Sequence, residues 1–238
     1  MRVRLLLGTL FLSAVGVAQS LRPALRAESQ LVLIPMTVLD REDRIVESLG
    51  SRHIRIFEEG KERAVASLSL EEGPVSLVVV LDVSRSMKKS LPDAVRALER
   101  LAARQHSEDE YALITFRDRP QLRLPFPASA AQVAGAAEAE QPEGSTALYD
   151  AMVLAVNHLR KGRHPSKAIL VFSDGQEVSS RYRAAELRQT LREAGAPVYA
   201  FLLPAFTELS AWEDLRRLIE ETGGRLLSVP HPRDFPDI

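Results

Sequence analysis

VSLVVVLDVSRSM, spanning Val75 to Met87, joins an almost unbroken apolar run to a loop of one carboxylate and two hydroxyls. The run Val75–Leu81 has the length and composition of a strand buried on both faces of a parallel sheet. The loop that follows, Asp82-Val83-Ser84-Arg85-Ser86-Met87, contains no glycine. A dinucleotide or phosphate cradle needs glycines so that backbone N–H groups can approach an anion, so nucleotide-binding readings fail here. A phosphotransfer aspartate would want a second acid two positions on, where Ser84 stands. What remains is Asp82, Ser84 and Ser86 at alternate positions, projecting from the carboxyl end of a strand. Hard oxygen donors in that arrangement suit Mg²⁺, which keeps several waters and takes only one or two carboxylates.

Downstream, apolar strands alternate with amphipathic helices. Ser90, followed by Pro92 and Asp93, starts a helix whose Val95, Leu98, Leu101 and Ala102 fall on one stripe. Strands are predicted at Tyr111–Phe116, Leu122–Phe126, Ala168–Phe172, Pro197–Leu203 and Arg225–Val229. Between them lie predicted helices over Ala147–Leu159, Arg181–Ala194 and Ser210–Glu221, the last carrying Trp212 as a core residue and stopped by Gly223 and Gly224. This alternation predicts an α/β fold over residues 74–238, a doubly wound, mostly parallel sheet flanked by helices. Sheets of that class bind ligands beyond the carboxyl ends of their strands, where the strand order reverses.

Upstream, residues 28–73 read as a small β-rich segment. Strands are expected at Leu31–Leu39, near Ile45–Leu49, at His53–Phe57 and at Ala64–Leu70, with a turn at Glu58–Lys61. The segment is too small to hold much core alone and is expected to pack on the α/β region. Residues 1–20, MRVRLLLGTLFLSAVGVAQS, place Arg2 and Arg4 before an apolar run and small residues after it, the pattern of a secretory signal peptide. The run is shorter than the roughly 20 residues of a spanning helix. The mature protein is therefore expected to be exported, periplasmic or extracellular, with no membrane span after cleavage.

Composition narrows the chemistry. The 238 residues include 31 basic and 32 acidic side chains and no cysteine. Balanced charge without a Lys/Arg block argues against nucleic acid as a partner. The missing cysteines exclude disulfides, thiolate metal sites and thiol nucleophiles. Five scattered histidines, His53, His106, His158, His164 and His231, lack zinc-site spacing.

Two more segments fall at the same end of the expected sheet. Thr146, in Gly144-Ser145-Thr146, offers a hydroxyl where the helix Ala147–Leu159 begins, and Asp174, in Ser173-Asp174-Gly175, follows the strand Ala168–Phe172. With these in place the chain resembles a von Willebrand factor type A (VWA) domain from Val75 to about Val229. Asp82, Ser84 and Ser86 match that family's D-x-S-x-S, Thr146 its loop threonine and Asp174 the aspartate of its strand-D-G segment. The β-rich segment with Ile56-Phe57-Glu58-Glu59-Gly60, together with Glu221-Thr222-Gly223-Gly224-Arg225, is similar to the exported bacterial group of VWFA-related acidobacterial domain proteins. Arg85 and Ser145 stand where many members have glycine. The sequence ends at Ile238, just where the family's last helix would begin at Asp234, a departure that leaves open whether a shift of that helix switches the site.

The resemblance implies a metal-ion-dependent adhesion site. Asp82, Ser84, Ser86, Thr146 and Asp174 would hold Mg²⁺ or Mn²⁺, with Arg85, Lys88, Ser145 and Gly175 on its rim and Lys89 close by. Because most direct donors are neutral hydroxyls, the cation stays electrophilic and an Asp or Glu carboxylate of a protein partner can fill its open position. Binding is expected, not catalysis. The alternatives are a metal-dependent hydrolase with Asp82 or Asp174 as base, and a structural envelope domain whose metal site is not functional. Asp150 is expected to orient the loop near Thr146, and Asp118 to be a solvated loop acid or to line the rim.

Overall fold

The computed structural model describes positions 32, 34, 36, 38, 40, 46, 48–69, 73–203 and 209–229, without the side chains of 209–212. The signal peptide expected over residues 1–20 and the final-helix region lie outside the described residues, as does the side chain of Trp212.

The stretch Val75–Asp82 forms strand β3, preceded by a hairpin of β1 (Ile56–Glu58) and β2 (Lys61–Arg63). Strand β3 pairs in parallel with β4 (Glu110–Phe116) on one side and β6 (Ser166–Ser173) on the other. The complete sheet has six strands in the order β5-β4-β3-β6-β7-β8, where β5 is Pro120–Ala128, β7 Val198–Leu202 and β8 Arg225–Ser228. Only β5 runs antiparallel to its neighbour. The chain thus moves outward from β3 to β4 and β5, then crosses back to β6. The strand order reverses between β3 and β6, which puts the crevice of the fold at the carboxyl ends of these two strands.

The reason Val75–Leu81 does not alternate in polarity is visible in its packing. Val78 and Val80 point into one core with Leu148, Met152, Val156, Leu187 and Leu218. Leu77, Val79 and Leu81 point into the other with Met87, Leu98, Leu113, Val133 and Phe172. Helices α3 (Leu148–Leu159), α4 (Ala184–Ala194) and α5 (Leu209–Glu220) cover the first face, and α1 (Leu91–Arg104) and α2 (Ala130–Glu138) cover the second. Each fully buried Val or Leu contributes about 1.5–3 kcal/mol relative to exposure, so both faces demand apolar residues. This bears out the doubly wound, mostly parallel reading.

Several local expectations are corrected. Helix α2 was not anticipated, because its run of alanines carries a weak amphipathic stripe; its signal was the Ser129 cap, whose Oγ accepts from Gln132 N at 3.2 Å while Gln132 Oε1 accepts from Ser129 N. Ser90 stands at the start of α1, but its hydroxyl makes no capping bond there. In the upstream segment the described positions within 31–39, 45–49 and 64–69 are not strand, and among the described residues there only the short hairpin forms. None of the described residues from 32 to 75 is buried, so β-branched composition there had no core to pack against. Helix α4 begins at Ala184, three residues later than expected, because the preceding residues are engaged elsewhere. No helix among the described residues is long and apolar enough to cross a membrane.

Beyond α5 the backbone approaches β7 so closely that a Cβ on Gly224 would lie 1.9 Å from the carbonyl oxygen of Val198. Thr222 seals that contact, its Oγ1 accepting from Val198 N at 2.9 Å.

Candidate functional site

Asp82 is the last residue of β3 and is fully buried. Val83 N still donates to Phe116 O at 2.9 Å, extending the parallel ladder by one residue and aiming the next turn over the end of the sheet. The Asp82 carboxylate then organises that turn. Its Oδ1 accepts from Ser84 N at 2.9 Å, the local bond by which aspartate favours turns, and its Oδ2 accepts from Ser173 Oγ at 2.7 Å across the crevice. A single 3₁₀ turn, Arg85–Lys88, comes next, anchored by buried Met87. In it the hydroxyls of Ser84 and Ser86 converge to 3.1 Å, Ser84 buried and Ser86 exposed.

The second segment is fastened to the first. Glu143 N donates to Val83 O at 3.0 Å, and Ala147 N donates to Arg117 O at 2.8 Å. Gly144 adopts φ 75°, and Ser145 N donates to Asp118 Oδ1 at 3.0 Å. Thr146 lies next in the chain, almost fully buried, at the entry to α3. The third segment leaves β6 at Ser173. Ser173 Oγ accepts from Gly175 N at 3.0 Å, and the Oδ1 of fully buried Asp174 accepts from Gln176 N at 3.1 Å.

An open cavity of about 610 Å³ is lined by Arg85, Ser86, Asp118, Gly144, Ser145, Thr146, Gln176 and Val178. All three segments therefore meet at one end of the sheet. Of the expected rim, Arg85 and Ser145 line the cavity; Lys88 is exposed outside its lining, and Gly175 is buried beneath the Asp174 turn. Asp118 lies on the lining. Asp150 orients a loop, its Oδ1 accepting from Arg181 N at 2.8 Å and Tyr182 N at 3.0 Å. Those bonds are what delay the start of α4.

Burial pushes the Asp82 carboxyl up to about 7, against the opposing hydrogen bonds of Ser84 and Ser173, and nearby Asp174 pushes it further. Every group acting on Asp82 is thus a hydroxyl, an N–H or another acid. Removing two carboxylates from water at one place is costly without a positive charge to offset them. Of the five expected donors Ser86 and Thr146 line the cavity, while Asp82, Ser84 and Asp174 are buried outside its lining. Two carboxylates and three hydroxyls are all hard oxygen, so these residue types fit a divalent cation of the Mg²⁺ type. Among the described residues no group of three or more His, Asp or Glu side chains forms a metal cluster, and no histidine lies in the three segments. His158 is buried on α3, stacked on Phe126 at 5.2 Å, and His164 Nε2 contacts Glu108 O at the opposite end of the sheet.

Sequence reasoning missed Gln176, Glu177 and Val178. No motif marks them, since their places depend on how the loop after Asp174 folds back onto α3.

Residues 77–176 match the family model described as the von Willebrand factor type A domain, bearing out the resemblance. Among solved structures, the chain is similar to an aerotolerance-related membrane protein from Bacteroides fragilis, at 18% identity and TM-score 0.56, over 66% of this chain and 92% of that one. It is similar to a von Willebrand factor type A protein from Catenulispora acidiphila, at 16% identity and TM-score 0.57, over 67% of this chain but 39% of that one. A third is the vWF domain of the type V pili tip protein Mfa5 from Porphyromonas gingivalis, at 12% identity and TM-score 0.55, over 68% of this chain and 91% of that one. At these identities the likeness is one of fold. No curated protein matches the chain.

Proposed function

We propose that the α/β domain is a cation-dependent protein-binding module of an exported protein. Asp82, Ser84, Ser86, Thr146 and Asp174 hold Mg²⁺ or Mn²⁺, and an Asp or Glu carboxylate presented by a partner completes the site. Neutral hydroxyls leave the cation's charge only partly offset, so it attracts an incoming carboxylate. Arg85, exposed on the lining, adds to that attraction.

The observation that carries this reading is the burial of Asp82 and Asp174 at the strand reversal, beside the Ser84–Ser86 hydroxyl pair at 3.1 Å. Export is supported by the pattern of residues 1–20 and by similarity to a membrane-associated and a pilus-tip protein. Binding is favoured over hydrolysis because the three segments carry no imidazole to move a proton near neutrality.

The test is recovery of partners from the native envelope fraction in Mg²⁺ and in EDTA, with wild type and the Ser84→Ala/Ser86→Ala variant. Partners recovered by wild type only in Mg²⁺, and lost in the variant, are expected. Equal recovery in all four arms removes the reading.

A further inference from the structure

We propose that Glu177 is a positioning residue of this site: its carboxylate clasps the loop after Asp174 to the first turn of α3, and so holds Asp174 in register with Thr146. The inference rests on the cation-binding reading above and adds a residue outside the donor set.

Asp174 and Thr146 arrive from separate parts of the chain, one at the end of β6 and the other at the start of α3. Their relative placement is therefore set by whatever joins those two segments. Glu177 Oε2 accepts from Tyr149 N, in the first turn of α3, at 2.9 Å. The same oxygen accepts from Ser180 Oγ at 2.7 Å, while Oε1 accepts from Ser180 N at 2.9 Å. Ser180 Oγ in turn accepts from Asp150 N at 3.1 Å. One carboxylate and one hydroxyl thus satisfy two N–H groups at the helix start.

Those N–H groups have no partner within the helix, and Ala147, at the cap position, supplies no side-chain acceptor. A negative charge from another segment fills that need and is favoured by the helix dipole. The clasp also closes on the threonine itself: Val178 N and Ser179 N both donate to Thr146 O at 3.0 Å. Glu177 stands between Asp174 and these two residues, so its bonds decide where the loop turns back. Loss of the carboxylate frees the loop to pivot about Gly175, at φ 78°, and separates the two donors.

Groups that orient metal donors from outside the donor set typically cost 10–100-fold in metal affinity when changed. The test uses Mn²⁺ as probe, with free Mn²⁺ followed by its electron paramagnetic resonance signal against the full chain. Glu177→Gln keeps the shape but removes the charge and turns one acceptor into a donor facing N–H groups. Its Kd for Mn²⁺ is expected to rise about tenfold. Ser129→Ala, which removes the cap of α2 on the other face, is expected to lower Tm and leave the Mn²⁺ Kd unchanged. If Glu177→Gln lowers Tm while its Mn²⁺ Kd stays at the wild-type value, Glu177 is a cap only and the proposal is overturned. Should Glu177→Gln fail to fold, Ser180→Ala takes its place: weaker Mn²⁺ binding supports the clasp, and unchanged binding overturns it. Wild-type protein that binds no Mn²⁺ overturns the cation reading itself, a result distinct from the other two.

Discussion

Gly144→Ala tests whether the loop carrying Thr146 is built as described. Gly144 sits at φ 75°, where an L side chain costs about 1–2 kcal/mol. A Cβ there would also lie 2.5 Å from Asp118 Oδ2 and 3.1 Å from its Cγ. Asp118 is exposed and can swing away, but only by giving up the bond it accepts from Ser145 N at 3.0 Å. That bond to a charged but solvated acceptor is worth about 1 kcal/mol. The two contributions together give a loss of about 2–3 kcal/mol, read as a lower urea midpoint with unchanged slope. Asp118→Ala alone should cost about 1 kcal/mol. Because the clash and the bond share one carboxylate, the double variant should be more stable than the sum of the two losses by about 1 kcal/mol. Strict additivity, or a Gly144→Ala protein as stable as wild type, refutes the account of this loop.

Saturating Mg²⁺ should stabilise the wild type by about 2.7 kcal/mol at 100 times Kd, a rise of about 5–11 °C in Tm at 2–4 °C per kcal/mol. The rise should vanish in Ser84→Ala/Ser86→Ala, and a persisting shift in differential scanning fluorimetry counts against those ligands. Burial, aided by the Lys161 charge, holds the His158 imidazole below its ordinary value of 6.5. The unfolded chain then binds more protons, so stability should fall as pH drops through 6.5, and His158→Leu should flatten that part of a urea-midpoint profile. Burial pushes the Glu110 carboxyl up, but Ser76 Oγ, Arg163 N and the charges of Arg163 and His164 outweigh it and leave it below its ordinary value. Stability from Glu110 should therefore be lost as pH falls through that depressed value. Glu110→Ala, which leaves Ser76 and Arg163 N without their acceptor, should cost about 2–4 kcal/mol at neutral pH, measured by urea unfolding.

The fold was legible wherever burial writes itself into composition. Val75–Leu81 is apolar along its length because both of its faces are covered, and the strands at Tyr111–Phe116 and Ala168–Phe172 read the same way. Helix α2 was not legible, since small residues pack without marking a stripe. In residues 28–73 the β-branched residues predict strands that most of the described positions do not form, because strand preference needs a packed face and none of the described residues there is buried.

Of the candidate site, the sequence by itself determined which oxygen-bearing side chains it carries and where they fall in the chain. Asp82, Ser84 and Ser86 are close because they are neighbours, and the strand before them dictates which end of the sheet they occupy. Asp174 and Thr146 were placed at that same end by the alternation of strands and helices. Only the tertiary structure decided what holds these segments together. Ser173 reaching Asp82, Asp118 beneath Gly144, and Glu177 bridging to Tyr149 join residues 91, 26 and 28 positions apart. Such bonds leave no periodicity or spacing to read, because the partner of each side chain is chosen by the packing of β3 against β6 and by the return of one loop onto α3.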